Sequence, residues 1–289
     1  MFRLWLLFFT LAFSASSSSE PLYWHAQKGQ LNYLILGSVH VGDESMYPLP
    51  QTITNSLKQS DGLIIETDIR KNDGVTYPPV SLLTNDVLDD NQKAELKGIA
   101  NLLNLDFHLL MQLPPWTTAL TITNKQIEYL GYQSALGVDI HLMYKATTQN
   151  IPVISLETLQ FQIDMLTKQP NSGKELLVSA IEEFDHSEQT ADCLIESWKV
   201  GDQDKMLEFG KLTEISPELE HIFVTLRNVN WAKQLATPSW SPEKKGSYVM
   251  VVGALHLLGE QSVLKLLEAD GFKVTQLSKS QVSRCEYKH

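Results

Sequence analysis

Two segments of the chain share one pattern of apolar and polar positions. An apolar run at 31–36 leads into Gly37-Ser38-Val39-His40, and a second run at 248–252 leads into Gly253-Ala254-Leu255-His256. Short apolar runs bounded by turn residues are typical of buried strands. A glycine that ends a strand lets the chain turn sharply, so each histidine is expected in the loop above the strand's carboxyl end. Ligands bind at this edge of open α/β sheets.

Both segments continue in the same way. The first G-x-x-H phrase is followed by a helical face with Ile53 and Leu57 and then by an apolar strand at 62–66. The second is followed by a helical face at 263–267 and then by a short strand at 272–274. These patterns predict two related strand–loop–helix–strand units at opposite ends of the chain. Their two loops can meet over one site and bring two imidazoles together.

The chain between these units is predicted to be largely helical. Apolar residues recur on one helical face at 191–198 and again at Leu219, Ile222, Phe223 and Leu226, and the clear strand of this region is 151–156. The predicted fold class is therefore α/β, with a central sheet built from the two end units and a helical middle that forms a cap or wall. No low-complexity linker divides the chain, so one domain is expected. Its parts are a first half-unit at 20–70, the helical middle at 71–245 and a second half-unit at 246–280, within a domain covering 20–289.

The first 19 residues have the pattern of a secretory signal peptide. Arg3 precedes an apolar stretch at 4–13, and the small residues at 14–19 form a cleavage region, with cleavage expected between Ser16 and Ser19. The apolar stretch is shorter than the roughly 20 residues that a membrane-spanning helix needs. The mature protein is therefore expected to be exported to the periplasm or outside the cell, with no transmembrane segment.

Charge and cysteine content narrow the classes of function. The net charge of −11 and a pI near 5.2 argue against nucleic acid as a partner, because phosphate binding needs a basic surface. The chain has two cysteines, Cys193 and Cys285, and no C-x-x-C motif. In an oxidising compartment they are predicted to form a disulfide, and two separate buried thiols are the alternative.

A carboxylate completes a candidate metal site. Glu66 ends the strand 62–66, so its side chain is expected at the same sheet edge as His40 and His256. Two histidines and one carboxylate form a common ligand set for catalytic zinc, iron or manganese. The alternative for Glu66 alone is a solvated or hydrogen-bonded strand end. The predicted cofactor is a divalent ion, either manganese, cobalt or zinc, held by His40, Glu66 and His256.

An ordered set of short motifs resembles a known family. Gly37-x-x-His40, the strand into Glu66, Gly137-Val138-Asp139, Leu156-Glu157-Thr158, Arg227-Asn228 and Gly253-x-x-His256 occur in this order over about residues 22 to 280. The chain resembles the TraB/GumN family, which is similar to the TIKI metalloproteases and more remotely to erythromycin esterase and ChaN-like proteins. The resemblance implies an α/β fold with both G-x-x-H loops at one site. For TIKI-like members it implies a peptidase that depends on a divalent metal.

The other motif residues have physical roles that remain open. Arg227 could stabilise an oxyanion or a substrate carboxylate, or form a surface salt bridge. Glu157, at a strand end like Glu66, could be a further ligand, a general base or a helix start. Asp139 could cap a helix or hold a metal-bound histidine, and Asn228 is the weakest of the four candidates.

The leading hypothesis is an exported metal-dependent hydrolase, a peptidase acting on peptides or unfolded segments, with His40, Glu66, His256, Arg227 and Glu157 as catalytic residues. The chain has no G-x-S-x-G elbow, H-E-x-x-H helix or phosphate-binding loop, which argues against serine hydrolases, zincins and nucleotidases. Two alternatives remain. One is a metal-free, esterase-like hydrolase in which His40 activates water. The other is a non-catalytic protein that binds a peptide, haem or a metal.

Overall fold

The computed structural model describes residues 20–287, so the predicted signal peptide at 1–19 lies outside the described residues. The strands are β1 (Tyr23–Lys28), β2 (Gln30–Ser38), β3 (Gly62–Ile65), β4 (Val153–Ser155), β5 (Lys245–Gly253) and β6 (Lys273–Gln276). The helices are α1 (Gln51–Gln59), α2 (Thr84–Val87), α3 (Asp90–Leu102), α4 (Phe107–Met111), α5 (Pro115–Tyr129), α6 (Val138–Thr148), α7 (Leu159–Thr167), α8 (Lys174–Glu182), α9 (Ser187–Val200), α10 (Gln203–Leu212), α11 (Pro217–Glu220), α12 (Leu226–Ala236) and α13 (Val263–Ala269).

All six strands form one mixed sheet in the order β4-β3-β5-β2-β1-β6. The neighbours β4, β3, β5 and β2 are parallel, and β1 is antiparallel to both β2 and β6. The α/β class with a helical middle is confirmed, and the two end units share this sheet. Strand β1 was not predicted from the sequence. Its last two residues, Gln27 and Lys28, are exposed, so it lacks the continuous apolar run that marks the central strands.

The central strands are buried on both faces. Ile35 and Leu36 of β2 and Val251 and Val252 of β5 are fully buried although successive residues of a strand point to opposite faces. Parallel strands covered on both sides read as continuous apolar runs, which explains why their sequences were recognisable. A second, smaller apolar cluster lies within the helical middle, where α3, α5 and α8 pack around Leu96, Ile122 and Leu177.

A π-helical turn interrupts the helix predicted at 219–226. Between α11 and α12, residues His221–Thr225 form this turn. A π-turn inserts one extra residue, and each residue of a helix advances the face by about 100°. As a result Leu226, predicted on the buried face, is 50% exposed, whereas Arg227 is only 7% exposed. The predicted single apolar face is therefore wrong at Leu226, and the shift in register turns Arg227 inward.

The predicted disulfide is present. Cys193 in α9 and Cys285 are bonded, and their Cα atoms are 5.3 Å apart. The bond joins the segment after β6 to the helical middle, and Asp202 adds a second link by accepting hydrogen bonds from the backbone N–H and the hydroxyl of Ser283. Within residues 20–287, no helix has the length and hydropathy to cross a membrane.

Candidate active site

The candidate site lies at the edge where four parallel strands end. Pairing of Ser38 with Gly253, and of Ile65 with both Val251 and Ser155, aligns the carboxyl ends of β2, β5, β3 and β4. The residues just beyond these ends therefore meet in space. The five predicted site residues that the structure brings to this edge are His40, Glu66, Glu157, Arg227 and His256.

Gly253 lies at the centre of this edge. A Cβ atom placed on Gly253 would lie 3.3 Å from Oε1 of Glu66 and 3.5 Å from both Nε2 of His40 and Cδ2 of His256. The missing side chain thus leaves a small space surrounded by the three residues predicted as metal ligands. Nε2 of His40 and Oε1 of Glu66 are 3.9 Å apart across it.

Arg227 connects the other side chains. Its Nη2 donates to Oε2 of Glu66 at 2.5 Å and to Oε1 of Glu157 at 2.6 Å, and its Nε donates to Oε2 of Glu157 at 3.2 Å. Its Nη1 lies 3.0 Å from the carbonyl oxygen of Phe223 and 3.1 Å from Nε2 of His256. A guanidinium has five N–H groups, and these contacts engage all of them. Arg227 therefore orients two carboxylates and one imidazole.

Glu157 is held entirely by protein donors. Besides Arg227, Gln162 donates to Oε1 at 3.0 Å and the indole of Trp231 donates to Oε2 at 3.1 Å. The guanidinium of Arg227 also lies over the Trp231 ring, 4.7 Å from its centroid. This arrangement fits Glu157 as the anchor of Arg227 better than as a general base.

Glu66 is buried but keeps its charge. Burial raises the pKa of its carboxyl group, but the charges of His40 and Arg227 and the hydrogen bond from the Gly253 N–H, 2.7 Å long, lower it to about 2. Oε2 accepts a hydrogen bond from Arg227 and Oε1 accepts one from Gly253, and each carboxylate oxygen has two lone pairs. Glu66 is thus an oriented carboxylate that can accept a further partner.

His256 is buried between Asn228 and Trp231. Its Nδ1 lies 2.7 Å from Oδ1 of Asn228, and its ring packs on Trp231 with 4.4 Å between the ring centroids. Burial, with help from the positive charge of Arg227, lowers the pKa of His256 to about 4, although Glu66 opposes this. The imidazole is therefore neutral near pH 7.

His40 is the exposed member, with 60% of its side chain accessible. Its Nδ1 lies 3.4 Å from Oδ1 of Asp139, near the start of α6. Desolvation lowers the pKa of His40, but the carboxylates of Asp139 and Glu66 outweigh it, and the pKa lies above its ordinary value of 6.5. A Cβ on Gly137 would lie 2.5 Å from the carbonyl oxygen of His40, so only glycine allows α6 to approach this loop so closely.

Comparison with known proteins agrees with this arrangement. The sequence model of the TraB/PrgY/gumN family matches residues 22–276. The chain belongs to this family. It is similar to the uncharacterized protein YbaP of Escherichia coli (strain K12), with 28% identity over 83% of this chain and 89% of that protein. It is equally similar, at 28% identity over 81% of this chain and 86% of the relative, to YbaP of Shigella flexneri. No solved structure matches significantly.

On one side, the site of this TraB-family chain has the charge and the space that a divalent ion needs. Glu66, Glu157 and Asp139 face one guanidinium, so the net charge is −2 when both histidines are neutral. Oδ1 of Asp139 is buried and makes no hydrogen bond, although Nδ1 of His40 lies 3.4 Å from it as a charge contact. Excess negative charge, a free carboxylate lone pair and the space at Gly253 fit a divalent ion on the side of His40 and Glu66.

The predicted third ligand is placed differently. His256 presents a carbon to the space at Gly253, and its Nε2 is bonded to Arg227. Within residues 20–287, no three His, Cys, Asp or Glu side chains are arranged to hold a metal ion as they stand. The ligand role of His256 thus stays a prediction that requires its bond to Arg227 to open.

Several contributors to the site were not predicted from the sequence. Trp231 and Gln162 hold Glu157, the Gly253 N–H holds Glu66, and the carbonyl of Phe223 holds Arg227. Trp231 follows Arg227 by four residues, a spacing that places both on one helical face, so this contact had a readable signal. The others depend on backbone atoms or on tertiary contact.

Proposed function

We propose that the chain is an exported, metal-dependent hydrolase that cleaves peptide bonds. The observation that carries this proposal is the pairing of His40 and Glu66 across the space at Gly253, with Nε2 and Oε1 3.9 Å apart. Both are directed there by other residues, His40 by Asp139 and Glu66 by Arg227. A carboxylate that holds the far nitrogen of a histidine is common at metal sites, because it orients the ring and increases its basicity.

In this proposal His40 and Glu66 hold the ion, and manganese, cobalt and zinc are the candidates. When bound, such an ion would lower the pKa of a water molecule and polarise a carbonyl group. Arg227 and Glu157 keep Glu66 charged and oriented. His256 remains a neutral group beside them, able to accept a proton or to become a third ligand on leaving Arg227.

One observation favours a second candidate, a metal-free hydrolase. A histidine whose Nδ1 faces a carboxylate and whose Nε2 faces the cleft is also the arrangement of a general base. The pair formed by Asp139 and His40 has this form. In that mechanism Nε2 of His40 in its neutral form takes a proton from water, and a substrate is hydrolysed without an ion.

A turnover experiment separates the candidates. Purified protein is incubated with a library of unstructured peptides, with added manganese, cobalt or zinc and, separately, with excess chelator. The proposal expects cleavage that chelator abolishes and one of the ions restores. His40→Gln should lose this activity, and His108→Gln, a change at an exposed histidine of α4, should keep it. Cleavage that persists in chelator would support the metal-free candidate. Absence of cleavage with every ion would contradict both hydrolase candidates and support a non-catalytic binding protein.

A further inference from the structure

Each histidine of the paired loops has its Nδ1 facing one side chain from the helical middle. Asp139 near the start of α6 faces Nδ1 of His40, and Asn228 near the start of α12 faces Nδ1 of His256. The two partners have nearly the same shape and differ in charge. A carboxylate accepts hydrogen bonds and carries a negative charge, whereas an amide oxygen accepts without a charge.

The network around Asn228 fixes the proton of His256. The Nδ2 group of Asn228 donates to the carbonyl oxygen of Gln261 at 2.9 Å, so its Oδ1 must be the atom that faces Nδ1 of His256. Because Oδ1 can only accept, Nδ1 must carry the hydrogen. In the neutral ring Nε2 is then an acceptor, and Nη1 of Arg227 donates to it at 3.1 Å.

The loop of His40 is also held to its partner helix, through backbone contacts. The N–H of Val138 donates to the carbonyl oxygen of Val39 at 3.2 Å, next to the close approach of Gly137 to His40. Asp139 is the following residue, so its carboxylate is placed beside Nδ1 of His40 by two backbone contacts. With Nδ1 facing Asp139, Nε2 is directed toward Glu66.

We propose that Asp139 and Asn228 are paired positioning residues whose difference in charge gives the two related histidines different tasks. The carboxylate at His40 prepares Nε2 to bind a cation, and the amide at His256 keeps that ring neutral so that Nε2 accepts from Arg227. The two G-x-x-H loops are therefore similar in sequence but not equivalent in chemistry. The part that concerns cation binding rests on the proposed function, and the part that concerns His256 does not.

The consequence is that the two partners cannot be exchanged. Asp139→Asn removes the negative charge beside His40 and keeps the shape. Loss of such a partner costs about 10- to 100-fold in metal affinity. Asn228→Asp places a carboxylate beside His256, which favours the doubly protonated ring. That ring has no lone pair on Nε2, so the hydrogen bond from Arg227 is lost.

The test uses these two swaps, with zinc alone as the probe. Nitrogen NMR of ¹⁵N-histidine-labelled protein without metal reports the protonation of each ring nitrogen. The wild type is expected to show His256 neutral with hydrogen on Nδ1 at pH 7, and Asn228→Asp should show both nitrogens protonated. Calorimetric titration should give a zinc affinity 10- to 100-fold weaker for Asp139→Asn, with a changed His40 signal and unchanged thermal unfolding.

Two results would overturn the inference. One is hydrogen on Nε2 of His256 in the wild type, and the other is equal zinc affinity for wild type and Asp139→Asn. If Asn228→Asp fails to fold, Asn228→Ser, which keeps an uncharged oxygen, should still leave His256 neutral. A wild type that binds neither zinc nor manganese nor cobalt would defeat the proposed function and the cation-binding part, whereas the NMR result on His256 would still decide the rest.

Discussion

At the scale of single residues, Arg227 determines how the site is held together. The sequence showed that an arginine lies beyond an apolar helical face, and this allowed an oxyanion-binding role to be predicted. The structure engages all five N–H groups with protein acceptors, two of them buried glutamates, so the oxyanion-binding role stays a prediction that requires one of these hydrogen bonds to open. The sequence could identify the residue types of the site, but not which of them bond to one another, because those bonds join parts of the chain 70 and 161 residues apart.

Removal of Arg227 should therefore affect folding. Arg227→Ala leaves Glu66 and Glu157 buried without their cation, and breaking a buried ion pair from one side costs about 3–5 kcal/mol. Arg284→Ala, at an exposed position after β6, should change the free energy of unfolding by less than about 0.5 kcal/mol. Urea denaturation measures both. Equal stability of the two variants would show that Arg227 does not hold the site together.

The buried neutral His256 predicts a dependence of stability on pH. Its pKa is about 4 in the folded protein and near 6.5 when unfolded. Between these values the unfolded state binds more protons, so stability should fall as the pH falls from about 6.5 to about 4. His40, whose pKa is raised, is protonated in both states below about pH 5.5 and adds no slope there, and nearer pH 6.5 its contribution has the opposite sign.

Denaturation at several pH values tests this dependence. His256→Gln should flatten the fall in stability between about pH 6.5 and pH 4.5, and His108→Gln should keep the slope of the wild type. Glu66, with its lowered pKa, adds its own fall in stability below about pH 5.5, where its unfolded carboxyl begins to bind protons, but Glu66 is present in all three proteins that are compared. An unchanged slope in His256→Gln would mean that the ring is not buried in its neutral form.

At the scale of elements, the turns decide which side chains reach the site. The central strands were predictable because burial on both faces gives uninterrupted apolar runs. Strand β1 was missed because its last two residues are polar and exposed. The π-turn at His221–Thr225 was missed because the apolar residues of this segment follow the spacing of an ordinary α-helix in the sequence. This turn matters for function, since it exposes Leu226 and buries Arg227.

The contact between α6 and the His40 loop gives a prediction at this scale. Gly137→Ala places a Cβ 2.5 Å from the carbonyl oxygen of His40, so either the loop or the helix must move. We expect lower stability and weaker zinc binding. Gly98→Ala is the matched control, because its Cβ meets nothing within 4 Å in the exposed middle of α3, and it should stabilise by roughly 0.5–1 kcal/mol. Unchanged zinc affinity in Gly137→Ala would show that the contact between Gly137 and the His40 loop does not affect metal binding.

At the scale of the whole molecule, both the sheet and the candidate site are assembled from segments that lie far apart in the sequence. The end units complete one sheet, and the helical middle supplies Asp139, Glu157, Arg227 and Asn228 to loops from both ends. The paired G-x-x-H phrases predicted the shared sheet. The middle region could be predicted only as helical, because its packing depends on long-range contacts that leave no local pattern.

The disulfide extends this long-range organisation to the segment after β6. Cys193 and Cys285 are 92 residues apart, and closing a loop of that length stabilises by about 3–5 kcal/mol. Replacing both cysteines by serine should lower the free energy of unfolding by this amount. Thiol counting on denatured, unreduced protein should find no free thiol, and two free thiols would contradict the bond.

The central claim, that His40 and Glu66 hold a divalent ion beside Gly253, is tested most directly by metal binding. Calorimetric titration of the purified, metal-free protein with manganese, cobalt and zinc should give one equivalent bound for at least one ion. The same titration should give no such binding for His40→Gln and unchanged binding for His108→Gln. A wild type that binds none of the three ions, or a His40→Gln variant that binds as tightly as the wild type, would contradict the claim.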